Sequence, residues 1–100
     1  MTDADTLTDV DTDTEITMPK KYKVVLLNDD FTPMDFVIAI LTEVFHKGSQ
    51  EAYDIMLHIH NQGKGIAGIY PKDIAEQKAR EVHALARNEQ HPLKAIVEKQ

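Results

Sequence analysis

Between Val24 and Phe45 the apolar residues change from the unbroken run of a buried strand to the three-and-four spacing of a helix. The change happens at one polar stretch, Asn28-Asp29-Asp30-Phe31-Thr32-Pro33-Met34. Upstream, Tyr22-Lys23-Val24-Val25-Leu26-Leu27-Asn28 is rich in β-formers, which predicts a mostly buried strand ending at Asn28. Downstream, Phe36, Val37, Ile40, Leu41, Val44 and Phe45 keep one helical face apolar. Thr32 before Pro33, with Asp35 three residues after the threonine, predicts a side-chain cap at the helix start, and Gly48 predicts its end. This junction sets four polar or acidic groups, Asn28, Asp29, Asp30 and Thr32, beside a thioether and a helix N-terminus.

The rest of the chain supplies what that strand and helix pack against. Ser49 is placed to cap a second helix, in which Ala52, Ile55, Met56, Ile59 and His60 share a face. Gly63 stops it. Lys64 to Tyr70 suits a strand whose glycines admit a close neighbouring backbone. Pro71-Lys72-Asp73 starts a third helix with Ile74, Ala75, Lys78, Val82, Leu85 and Ala86 as its buried stripe, ending near Asn88. His91-Pro92 forces an extended exit into a closing strand over Leu93 to Glu98. The expected fold is α+β: a small three-stranded sheet in β-α-α-β-α-β order, with three helices packed on it.

Charge divides the chain in two. Net charge is −6, and Asp3, Asp5, Asp9, Asp11, Asp13 and Glu15 account for it, because residues 20–100 hold eleven acids and eleven bases. Residues 1–19 alternate Asp and Thr with few apolar groups, so a disordered acidic extension is expected there, and one domain over residues 20–100. An acidic tail on a neutral domain disfavours nucleic acid. No run approaches a membrane span, and Met followed by acids and Thr is the reverse of a secretory leader. The absence of Cys excludes disulfides and thiolate chemistry and fits a cytoplasmic protein.

Residues with possible chemistry are few. Among five histidines, His58 and His60 are two apart on a helix and cannot chelate one ion together, so no metal or other cofactor is expected. His60 falls on the apolar face four residues after Met56, which leaves two readings: a hydrogen-bonded core histidine or a pocket-lining one. Asp29 and Asp30 read as turn-forming carboxylates, because adjacent residues leaving a strand diverge and no Ser or Thr nucleophile has an evident base, which disfavours a hydrolase built on them with His60. A helix N-terminus repels an ammonium, yet Asn28, Asp29 and Asp30 are acceptors that can outweigh it, so the junction permits an amine site.

Three separated motifs, NDDFTPMDFVIAIL, IMLHIHNQGKGIAGIY and HPLKAIVEK, give the chain from Tyr22 to about Lys99 a resemblance to the ClpS family of Clp protease adaptors. The resemblance implies a non-enzymatic protein that binds proteins with a free N-terminal Leu, Phe, Tyr or Trp, and a monomer is expected because nothing in the sequence suggests an obligate dimer. It would hand these N-degron substrates to the N-domain of a ClpA-type unfoldase working with the ClpP peptidase. It assigns the ammonium to Asn28, Asp29 and His60, with Asp30 and Thr32 supporting the rim. The bulky side chain would enter a hole made by Pro33, Met34, Val37, Met56, Ile59 and Leu93, Met34 acting as gate against β-branched residues. Asp73 and Lys78 match the positions that dock on the unfoldase, and the acidic tail matches the extension that engages it. Phe31 stands where Tyr is common and Ala67 where many members have Cys, both expected as packing changes. A general protein-interaction domain with a different ligand is the alternative.

Overall fold

Residues 20–100 are described by a computed structural model; the expected disordered extension over residues 1–19 lies outside them. The chain runs β1 (Lys21–Leu27), α1 (Met34–Glu43), α2 (Ser49–Gln62), β2 (Lys64–Pro71), α3 (Lys72–Asn88) and β3 (Lys94–Lys99). This is the expected order and fold class. The strand with the longest apolar run takes the centre of an antiparallel sheet ordered β2-β1-β3. Val24 and Leu26, both fully buried, face the helices; Val25 lies on the other face, 3% exposed, between its register partners Ile66 and Ile96. The pairing slips between Val24 and Val25, whose partners are Gly68 and Ile66, so Ala67 is an extra residue that bulges β2 into the core.

One core joins the layers. Leu26, Ile40, Leu41 and Ile59 are its largest fully buried side chains, and each such burial is worth roughly 1.5–3 kcal/mol. In α3 the buried stripe is Ala75, Ala79, Val82 and Ala86, whereas Ile74 and Leu85, expected inside, are each 38% exposed. Small residues let α3 lie close along the sheet, and that closeness narrows the face it can bury. Lys78 is half-buried, its ammonium donating to the Val44 carbonyl (2.7 Å) and lying 5.7 Å from the Tyr70 ring centre. It thereby ties α3 to the end of α1.

Three expected helix ends are corrected by tertiary hydrogen bonding. Pro33, not Thr32, occupies the N-cap position of α1, and no side chain caps it, because Thr32 is bonded elsewhere. The same helix stops at Glu43, ahead of Gly48: His46 takes a left-handed conformation (φ 58°) and the Lys47 N–H donates to the Leu41 carbonyl (3.0 Å). Gly48 in turn holds the N-cap position of α2 where Ser49 was expected, its carbonyl accepting the Ala52 N–H (2.8 Å). The glycines of β2 admit side chains rather than a backbone. A Cβ on Gly65 would lie 2.8 Å from Ile59 Cγ1, and one on Gly68 would strike the Tyr70 ring.

The α3 terminus is a left-handed stop built without glycine. Gln90 has φ 63°, its N–H reaching the Arg87 carbonyl (3.1 Å) and the His91 N–H the Ala86 carbonyl (2.8 Å). A side chain in that region costs roughly 1–2 kcal/mol, part of which glycine returns as unfolded-state entropy. Gln90→Gly should therefore stabilise the domain by about 0.5–1 kcal/mol. The check is a rise in urea midpoint with an unchanged m-value.

Candidate functional site

Asp29 sets the shape of the junction. As the chain leaves β1, its carboxylate turns back: Oδ1 accepts the Phe31 N–H (2.8 Å) and the Thr32 N–H (2.7 Å), and Oδ2 accepts the Thr32 hydroxyl (2.8 Å). The side chain thus does for this turn what a cap does for a helix. Burial pushes the Asp29 carboxyl up, and the N–H groups of Thr32 and Phe31, the Thr32 hydroxyl and nearby His91 outweigh it. Its pKa is held below the usual 3.8.

A second bond fixes the junction to α2. The Asn28 N–H donates to the Gly63 carbonyl (2.9 Å), and the Gly63 N–H to the Ile59 carbonyl (2.9 Å). Gly63 has φ 91°, which a glycine adopts without strain. The last turn of α2 is therefore pinned beside the loop that starts α1. Between them opens a cleft of about 350 Å³, within the size range of small-ligand sites.

The cleft gathers nearly every site residue expected from the sequence. Asn28, Asp29, Asp30, Thr32, Pro33 and Met34 line the junction side, Val37 follows on α1, and Met56, Ile59 and His60 line the α2 side. Val37, Met56 and Ile59 are buried, 8%, 4% and 2% exposed. His60 is exposed, which removes the core-histidine reading and leaves the pocket-lining one. Polar groups thus surround the mouth and apolar ones the floor.

Leu93 is the exception among the pocket residues. It does not line the cleft; it lies behind it, 3% exposed, at a void of about 10 Å³ bounded also by Asn28, Asp29, Thr32, Val37 and Ile59. It supports the floor from the β3 side. Phe31 is the residue sequence reasoning misplaced: expected as a packing change, it is 79% exposed and lines the cleft. Its signal was the apolar side chain within a run of turn formers. Asp73 and Lys78 sit apart from the cleft, Asp73 exposed in the first turn of α3 with Oδ1 accepting the Ile74 N–H (3.0 Å).

The arrangement can hold a cation at its mouth and an apolar group beneath. A carboxylate has about four acceptor positions, and three of Asp29's bonds are internal, which leaves about one for a ligand. The Asn28 amide oxygen and a ring nitrogen of His60 supply others. Among the described residues no helix is long and apolar enough to cross a membrane.

The chain is similar in sequence and in fold to known proteins. The family model described as "ATP-dependent Clp protease adaptor protein ClpS" matches residues 17–96. A protein of Shewanella loihica named ATP-dependent Clp protease adapter protein ClpS is 56% identical over 87 residues, covering 87% of this chain and 85% of that one. The solved structure of Agrobacterium tumefaciens ClpS2 bound to L-phenylalaninamide superposes with a TM-score of 0.80 at 37% identity, covering 83% of this chain and all of that one.

The Asp29 bonds make a prediction. A carboxyl whose folded-state pKa is lowered contributes stability above its ordinary value of 3.8, and loses it as pH falls through the lowered one. Thr32→Val removes the hydroxyl donor. The Asp29 carboxyl, followed by NMR titration, should then titrate at higher pH than in the unsubstituted chain.

Proposed function

This chain belongs to the ClpS family of Clp protease adaptors, and from that premise we propose that it selects proteins by a free, bulky N-terminal residue. It passes them to a ClpA-type unfoldase and the ClpP peptidase, in the cytoplasm, as a monomer that does no chemistry of its own. The observation that carries this reading is the cleft: Asn28, Asp29 and His60 at its mouth, above a floor of buried Val37, Met56 and Ile59. The ligand of the Agrobacterium relative has the matching chemistry, an α-ammonium beside an aromatic side chain, with the carboxylate masked as an amide.

The energetics suit an adaptor that must release its cargo. Burying one large apolar side chain is worth roughly 1.5–3 kcal/mol, and each charge-assisted bond to the ammonium about as much. Association and ordering cost ~4 kcal/mol or more, which leaves an affinity on the order of micromolar. Acetylating the amine removes the charge and leaves acceptors unmatched, a loss of ~2 kcal/mol or more, so blocked or internal Leu is rejected. Met34 stands beside the point where a β-methyl would branch, and a close-packed hole resists that volume.

On α3, Asp73 and Lys78 serve as the unfoldase-docking residues. Lys78 donates to the Val44 carbonyl, which fixes its ammonium at the end of α1 and leaves two N–H donors for an acceptor of the partner. The acidic extension engages the unfoldase during delivery.

Fluorescent peptides test the reading: those starting with Leu or Phe should bind, and those starting with acetyl-Leu or Ala should not. Equal binding of acetyl-Leu, or turnover without added protease, would overturn it. His60→Ala should weaken a Leu-starting peptide about tenfold or more, ~1.4 kcal/mol, with circular dichroism unchanged. Met34→Ala should admit peptides starting with Ile or Val; continued rejection of both removes Met34 as the gate.

A further inference from the structure

A groove of about 830 Å³, more than twice the cleft, lies between the last turn of α3 and the start of β3. Its floor includes Ala86, Leu93 and Ala95, all buried. Its rim carries Arg87, His91 and Lys94, and no Asp or Glu lines it. No described residue forms an ion pair with Arg87 or Lys94. Arg87 by itself only complements the negative end of α3. Lys94 and the apolar floor have no such local account.

The chain contains a segment of the complementary kind. In Val10-Asp11-Thr12-Asp13-Thr14-Glu15-Ile16 every second residue is β-branched and every residue between is acidic. Extended, such a segment turns Val10, Thr12, Thr14 and Ile16 to one side and three carboxylates to the other. The first side fits an apolar floor, the second a basic rim. Length allows it too. Lys21 begins β1 beside the far end of β3, where the Gln100 N–H donates to its carbonyl (3.0 Å). From there to Lys94 is about six residues of strand, or ~20 Å. Residues 10–16 lie between ~13 and ~33 Å of extended chain from Lys20, which spans that distance.

We propose that residues 10–16 dock in the α3/β3 groove of the same chain, their carboxylates against Arg87 and Lys94. Docked there, the segment rests on Leu93, which also bounds the void beneath the cleft, and on His91, whose ring meets Phe36 edge-on at 4.6 Å. The acidic segment is then withheld from any other partner until a stronger cationic surface takes it. This inference goes beyond the cargo-binding reading.

The test is a comparison of backbone amide NMR shifts between the full chain and the full chain carrying D3N, D5N, D9N, D11N, D13N and E15Q. At low salt the amides of Arg87, His91, Lys94 and Ala95 should differ between the two while those of α2 coincide. Near 1 M salt, where the screening length falls to ~3 Å, the differences should vanish. In the chain with its acids intact, Arg87→Glu with Lys94→Glu should move the amides of residues 10–16. Groove amides that superimpose at low salt, or segment amides indifferent to the charge reversal, overturn the proposal. So do differences that appear only as concentration rises, which would place the segment on a second copy. Because no cargo or unfoldase is present, the outcome is independent of the peptide-binding reading.

Discussion

The cleft depends on one carboxylate bonded to its own backbone. Leaving a buried strand and entering a helix within seven residues strands several N–H groups, and an unpaired one costs about as much as a lost hydrogen bond. Asp29 meets two of these N–H groups and a hydroxyl. Two consequences follow. The turn becomes rigid enough to hold Phe31 and Met34 out from the core, and the helix behind it starts at Pro33 without a side-chain cap. The same three internal bonds favour the ionised form of Asp29, so the folding of the loop strengthens a negative charge at the cleft mouth.

The second constraint is the bond from Asn28 to Gly63, which links the end of the central strand to the end of α2. Residues about thirty positions apart become the two sides of one opening. Gly65, just beyond, leaves the space that Ile59 fills, so a missing side chain in β2 helps to place the floor of the cleft. Leu93 closes the back from the opposite edge of the sheet. The site therefore draws on both edge strands and two helices while lying at none of their centres. Its apolar floor is continuous with the core and shares the core's rigidity.

Much of this was legible in sequence. Apolar periodicity identified all six elements and their types, and the amphipathic face of α2 already grouped Met56, Ile59 and His60. The misplacements have a common cause. Thr32 has the chemistry of a helix cap and Ser49 the position of one, but the Asp29 carboxylate claims the first and the Gly48 carbonyl replaces the second. Ile74 and Leu85 have the spacing of a buried stripe, yet a helix seated on alanines cannot bury a wide face. The setting of Phe31 among turn formers was legible, but not its direction toward the cleft, since a turn residue's direction depends on backbone bonds that local pattern does not encode.

By itself, then, the sequence determined the elements, their order, and the acidic leading segment followed by a charge-balanced domain, because periodicity and composition act locally and are readable along the chain. The motifs determined the family. Only the tertiary structure decided that His60 faces a cleft rather than the core, that Leu93 stands behind that cleft, and that Lys78 is spent on the Val44 carbonyl. Each of those depends on two segments meeting across the fold. Which one a polar group meets is settled by the competition for its hydrogen bonds once the core has closed.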